Sequence, residues 1–251
     1  MAPAGYIELC DVHKAFGANR VFDGVSLSVR RGESLAIVGG SGCGKSVLLR
    51  MLIGLCEVDA GSVCFDGAEI SGLDEAGFVA VRRRISMMFQ GGALFDSLSV
   101  GENVAYPLRA QLSLSEEQIQ RRVADKLTLV GLPGIEAQFP AALSGGMKKR
   151  VALARAIATE PEVILFDEPT AGLDPPNTRR IDDLIRSTRQ DLGITTIVVT
   201  HDLPSAYRVA DRIAMLAERK ILTVLPTADF RRATAPAIRE FVEAMAEGDA
   251  S

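Results

Sequence analysis

Histidine and cysteine are scarce in this sequence, and what they fail to form narrows the reading. Two histidines and four cysteines (Cys10, Cys43, Cys56, Cys64) stand among 251 residues. No two cysteines make a CxxC pair, so neither a disulfide framework nor a zinc cluster is indicated. Reduced, mostly buried thiols are expected. No apolar run reaches the roughly 18 residues of a membrane-spanning helix. Met1 to Gly5 (MAPAG) lacks the charged and long apolar regions of a secretion signal, so the chain is expected to stay in the cytosol. A formal net charge of -4 gives no broad positive surface for nucleic acid. There is no internal repeat and no low-complexity tract, and the HRD and DFG motifs of a protein kinase do not occur.

What is present is a chain with 47% hydrophobic and 24% charged residues, enough for a substantial globular core. Its opening third runs through YIELCDV, VFDGVSLSV, SLAIVGG and GSVCFDGAEI, each short, strand-like and bounded by turn or charged residues. After SLAIVGG comes KSVLLRMLIGL, whose length and apolar content suit a buried helix. From about residue 91 to 143 the character turns helical and polar. In SEEQIQRRVADKLTLVGL, Ser115 and Gln118 fit a capping box, and Ile119, Val123, Leu127 and Val130 recur at helical spacing before Gly131. Strand-like runs return as VILFD and TTIVVTH around the helical RRIDDLIRSTRQDLG, the mark of parallel α/β crossovers. A last amphipathic helix is expected with Ile238, Phe241, Val242 and Met245 on one side. The stretch SMMFQGGALFDSLSV, from Ser86, repeats like neither a helix nor a strand.

The segment GGSGCGKS carries the first chemistry. It comprises Gly39, Gly40, Ser41, Gly42, Cys43, Gly44, Lys45 and Ser46, and it matches G-x-x-x-x-G-K-[ST] between a strand and a helix. The glycines let backbone N–H groups curl round a phosphate, the helix aims its positive end at it, Lys45 reaches the β and γ phosphates, and Ser46 can ligate Mg²⁺. VILFDE is an apolar strand ending in two carboxylates. Ligands of open α/β sheets bind at the carboxyl ends of strands, which suits Asp167 to Mg²⁺ and Glu168 to an attacking water. His201 ends a third run, where it either bonds the γ-phosphate and orients the water or Glu168, or caps the helix that follows. His13 sits in an early strand without a partner and reads as a surface histidine. LSGGMKKR is a second glycine motif. Ser144 is a good N-cap, and Met147, Val151, Ala154 and Ala158 give the next helix an apolar stripe. It offers an anion site with no lysine, metal ligand or base of its own, so it either closes over the nucleotide of a second copy of the chain or is a simple capped turn. The charges of Lys148, Lys149 and Arg150 read as the solvated face of that helix.

Taken in order, the KAFG aromatic, GGSGCGKS, the lone Gln90, LSGGM, VILFDEPTAGLD and TH resemble the nucleotide-binding subunit of an ABC transporter over essentially the whole chain. The resemblance implies a P-loop ABC-type α/β fold with an N-terminal antiparallel β subdomain and an inserted α-helical subdomain. One domain would span residues 1–251: a RecA-like core with the β subdomain in 1–90 and 145–225, helices in about 91–144, and a tail in about 226–251. It implies ATP and Mg²⁺ as ligands, Phe16 stacked on adenine, and Gln90 contacting Mg²⁺ and coupling to the membrane subunit. Ser144, Gly145 and Gly146 would bind the γ-phosphate in trans, and Asp174 of AGLD would cross the seam of a homodimer. Phe16 reads equally as a core aromatic.

Met147 departs from the glutamine common at the fifth signature position and points to a subfamily. With GKSVLLRMLIGL, MMFQGGALFDSLSVGENVAYPLR and LSGGMKKRVALARAIA, the chain is similar to the MlaF-type ATPases of Mla/Mce phospholipid transport systems. That likeness implies an ATPase on the cytoplasmic face of the inner membrane. Its partners would be permease subunits, docked through the stretch from Gln90 to Leu98 with Ala93, Leu94 and Phe95 in the groove, and an Mce-domain protein. An importer of a small solute shares every catalytic residue. Non-transport ABC ATPases acting on nucleic acid or ribosomes need long coiled coils or two cassettes, which this chain lacks.

Overall fold

The computed structural model describes residues 5–248, with side chains to residue 243. The MAPAG reading, apart from Gly5, and the side chain of Met245 lie outside the described residues. The chain divides into two compact units, one holding residues up to Arg82 together with those from Thr195 on, the other Arg83–Ile194.

The first unit opens with strands β1 (Ile7–Phe16) and β2 (Asn19–Val29), then β3 (Ser34–Val38) and helix α1 (Lys45–Leu52). Strands β4 (Ala60–Phe65) and β5 (Ala68–Glu69) and helix α2 (Glu75–Arg84) follow. An antiparallel sheet is ordered β2-β1-β4-β5. The single run expected in GSVCFDGAEI is in fact a hairpin. Asp66 and Gly67 both hold positive φ, at 51° and 79°, the conformation a two-residue Asp-Gly hairpin turn requires. Strands β1 and β4 are buried on one face only, so alternate residues face outward. Cys10 and Cys64 occupy such outward positions, which corrects the expectation of buried thiols. Cys10 is exposed, and Cys43, Cys56 and Cys64 are half-buried, with none of the four in a disulfide. His13 is likewise not alone. Its imidazole lies between the carboxylates of Asp11 and Asp23, 3.4 Å from each, because cross-strand register pairs His13 with Asp23.

The second unit contains β6 (Ile85–Met88), α3 (Val100–Gln111), α4 (Glu116–Leu129), α5 (Gly145–Ile157), β7 (Val163–Asp167) and α6 (Pro175–Leu192). Strand β6 includes Ser86, Met87 and Met88, so the odd stretch begins as a strand. It pairs in parallel with β7, Met88 opposite Phe166. Four residues buried only at the two ends carry no readable alternation, which is why the sequence pattern hides it. The capping box at Ser115 forms in both directions, with Gln118 N–H donating to Ser115 Oγ at 3.3 Å and Ser115 N–H to Gln118 Oε1 at 2.8 Å. Helix α6 has Asp174 as N-cap, proline in its first turn, and Gly193 at φ 63° as its stop, the asymmetry that fixes helix ends.

The chain then completes the first unit with β8 (Thr195–Val199), α7 (Leu203–Val209), β9 (Arg212–Ala217), β10 (Lys220–Pro226), α8 (Thr227–Arg232) and α9 (Pro236–Gly248). Strand β3 lies between β8 and β9, parallel to both, and β10 closes antiparallel on β9. All five residues of β3 and of β8 are buried, as central parallel strands require. Ile238 and Phe241 of α9 and Phe230 of α8 pack with Ala36 and Val38 of β3. Among the described residues no helix is long and apolar enough to cross a membrane.

Candidate active site

In the first unit, β3 and β8 run side by side with Ile37 opposite Val199, and Thr200 N–H donates to Ile37 O at 3.2 Å. Their carboxyl ends therefore open together, one into the glycine loop and the other into His201. In the loop, Gly42 and Gly44 hold φ of 76° and 106°, a backbone closed to most other residues. A Cβ on Gly39 would stand 2.2 Å from Leu216 O, so the loop's first glycine is fixed by packing. Lys45 is buried and curls back to donate to Gly39 O at 2.8 Å and Gly40 O at 3.1 Å. The loop thus rings an ammonium and leads into the first turn of α1, whose N–H groups point out of the helix end. That cradle fits a polyphosphate.

His201 does not cap α7. Asp202 does, its carboxylate accepting Ser205 N–H at 2.9 Å, and His201 is exposed beside it. Phe16, at the end of β1, is 52% exposed with Lys14 Nζ 5.2 Å from its ring centroid. An aromatic so open is no core residue.

In the second unit the parallel pair β6 and β7 delivers Gln90 and the Asp167–Glu168 carboxylates from neighbouring carboxyl ends. Asp167 is 3% and Glu168 8% exposed. Glu168 holds φ 49°, a left-handed backbone that costs a non-glycine residue roughly 1 kcal/mol or more. Gln90 is exposed, and the turn after it passes through Gly92 and Ala93, at φ 76° and 47°. Ser46, Gln90 and Asp167 are all hard oxygen donors, the kind that Mg²⁺ selects.

Helix α5 begins at the second glycine motif. Ser144 caps it by accepting Met147 N–H at 3.3 Å. A Cβ on Gly146 would lie 2.8 Å from Asn177 Oδ1, so the motif's last glycine allows close approach to the start of α6. There Asp174, exposed, accepts Asn177 N–H at 2.8 Å.

Of the three charges after this motif, Lys149 and Arg150 are not on a solvated face, while Lys148 is half-buried. Lys149 is 7% and Arg150 8% exposed. The Lys149 ammonium donates to the main-chain carbonyls of Gln90 and Glu168. Burial pulls its pKa below a lysine's ordinary value, and the carboxylates of Glu168 and Asp167 push back in part. Arg150 donates to Val130 O at 3.2 Å and Gly131 O at 3.0 Å, a cation at the C-terminal end of α4. Its pKa is lowered by burial and then by the charge of Arg180. Further along, Arg155 donates to Gly92 O at 2.6 Å and Ala93 O at 2.7 Å, and burial lowers its pKa. Sequence reasoning missed Lys149, Arg155 and the buried Asn103 of α3. Their signal was available as polar residues spaced along otherwise apolar helical faces.

Comparison with known proteins agrees with these features. The ABC transporter family profile matches residues 22–171. MlaF, the ATP-binding protein of the intermembrane phospholipid transport system of Escherichia coli K12, is 41% identical over 98% of this chain and 91% of its own length. MetN, the methionine import ATP-binding protein of Brucella abortus, is 45% identical over 85% of this chain and 58% of its own length. The dimeric post-hydrolysis structure of the ATP-binding cassette MJ0796, bound to ADP and Pi, superposes with a TM-score of 0.81 at 31% identity, over 88% of this chain and 98% of that one. Cassettes of this kind dimerise and pair with membrane permeases. The chain belongs to the ABC transporter family, as an ATPase subunit that binds ATP with Mg²⁺ and couples its hydrolysis to transport.

Proposed function

We propose that this ATPase energises phospholipid transport between inner and outer membranes, working as a homodimer under permease subunits on the cytoplasmic face of the inner membrane. The observation that carries the lipid reading is the length of the match. It covers 98% of this chain for the E. coli phospholipid-system protein and 85% for the methionine importer. On this reading an Mce-domain protein belongs to the same complex, and the permease docks against the stretch from Gln90 to Leu98, where Phe95 is 43% exposed.

In the proposed cycle Phe16 stacks on adenine, while Lys45 and the glycine-loop N–H groups of residues 39–46 hold the β and γ phosphates. Ser46, Gln90 and Asp167 would hold Mg²⁺, which neutralises charge on the phosphate oxygens. Glu168 orients the attacking water and takes its proton as the water oxygen bonds to the γ-phosphorus and the bridging bond to the β-phosphate breaks. His201 hydrogen-bonds the γ-phosphate. Ser144, Gly145 and Gly146 of a second copy close over that phosphate, and Asp174 lies at the dimer seam. ATP closes the dimer and hydrolysis reopens it.

Glu168→Gln tests the chemistry. It should keep ATP binding, trap a closed dimer and lose about a hundredfold or more in turnover; turnover near that of the parent sinks the role. For the cargo, the intact membrane complex is purified and its bound molecules identified by mass spectrometry. Phospholipid together with an Mce-domain subunit supports the reading, and a solute-binding subunit with a small solute replaces it. That second reading is favoured by the 45% identity to the methionine importer.

A further inference from the structure

Gln90 and Glu168 leave adjacent strands and turn sharply as they do so. Glu168 is in the left-handed region, and the turn after Gln90 has two more left-handed residues, Gly92 and Ala93. Such turns hold their shape only where the surroundings over-determine them. Here one helix gives side-chain donors to both turns. Lys149 of α5 donates to the carbonyl of Gln90 and, at 3.2 Å, to that of Glu168, and Arg155 of the same helix holds the carbonyls of Gly92 and Ala93. Gly92 also packs closely enough that a Cβ there would stand 3.4 Å from Ala152 Cβ. The ammonium is buried, and Glu168 and Asp167 are the carboxylates that act on it.

We infer that Lys149 is a positioning residue for hydrolysis: it ties the main chain of Gln90 to that of Glu168 and both to the helix that begins at Ser144. The three groups then shift together rather than separately. An ammonium suits this task because one atom with three N–H donors can serve two carbonyls at once. The inference rests on the roles proposed above for Gln90 and Glu168.

The test compares Lys149→Met, which keeps an unbranched apolar stem and removes the donors, with Lys149→Arg, whose forked guanidinium can reach two carbonyls. Steady-state ATPase kinetics are measured on the full chain, with thermal unfolding recorded alongside. For K149M, kcat should fall about tenfold or more while KM for ATP stays within about threefold, the pattern of a lost transition-state contribution. K149R should recover to within about threefold of the parent. An unchanged kcat in K149M overturns the inference. So does loss of kcat and ATP affinity in proportion to the folded fraction, or an arginine variant no better than methionine. If K149M does not fold, Lys149→Gln carries the test. Its amide nitrogen ends one bond short, reaches one carbonyl at most, and should lower kcat about threefold or more with KM unchanged; a kcat equal to the parent's overturns the inference. Glu168→Gln run in parallel separates the two failures. If E168Q keeps its turnover, the reading of the site itself has failed. If E168Q loses turnover while K149M keeps it, only the positioning role has failed.

Discussion

Replacing Asn103 by leucine should unfasten the far end of the segment on which the permease is proposed to dock, because one side-chain amide ties down residues 95–99. Asn103 is wholly buried on α3. Its Oδ1 accepts Phe95 N–H at 2.8 Å, and its Nδ2 donates to the carbonyls of Phe95 at 3.0 Å, Leu98 at 3.1 Å and Ser99 at 3.0 Å. Ser99 O already accepts the Asn103 main-chain N–H at 2.9 Å, so three of these bonds count fully. At about 1 kcal/mol net for each, the isosteric Asn103→Leu should lose about 3 kcal/mol. In a domain of this size that lowers the melting temperature by about 6–12 °C. Differential scanning calorimetry measures the drop, and amide hydrogen exchange should quicken first in residues 94–99. Asn103→Asp keeps the acceptor but loses both N–H donors and buries a charge, so it should be at least as destabilising. A fall of less than about 2 °C in N103L, or an aspartate variant milder than the leucine one, refutes the accounting.

Two further outcomes test other parts of the chain. The Glu102 carboxylate, hydrogen-bonded first by the Ser99 backbone N–H in a capping box on α3, is held below the usual carboxylate range. A depressed folded-state pKa means that its stabilisation is present above about pH 4.3 and is lost as pH falls through the lower value. Glu102→Gln, which can still accept that bond, should flatten the fall of melting temperature measured from about pH 5 down to 3; an unchanged slope would count against the assignment. At the second glycine motif, Ser144→Arg should abolish turnover yet leave ATP affinity of the monomer within about threefold, because the motif is proposed to serve the nucleotide of the other copy. Normal turnover in S144R, read beside a nucleotide-binding titration, would end the trans-site idea.

The parts of the chain legible from sequence were those where chemistry and periodicity coincide. GGSGCGKS and VILFDE sit where an unbroken apolar strand stops, and the stop itself marks the sheet edge. The capping box of Ser115 and Gln118 was equally plain, since its partners stand three residues apart. Lys149 and Arg150 were misread because a sequence shows a charge and never the carbonyl that satisfies it. Lys149 and Arg150 look solvated until Gln90, Glu168, Val130 and Gly131 are brought beside them by strand and helix pairing. His13 failed for a related reason: Asp23 becomes its neighbour only through the register of β1 on β2. The Asp66-Gly67 turn could have been found locally, as an Asp-Gly pair between two strand-like halves.

The helices after Pro226 have a meaning beyond covering apolar surface. Phe230, Ile238 and Phe241 form one cluster with Ala36 and Val38, and Val38 is the last residue of the strand before Gly39. The chain's late helices are therefore mechanically in series with its phosphate loop. Whatever tightens or loosens the seat of α9 changes the footing of β3, so a substitution at Phe241 reaches the loop through packing alone, with no contact to nucleotide.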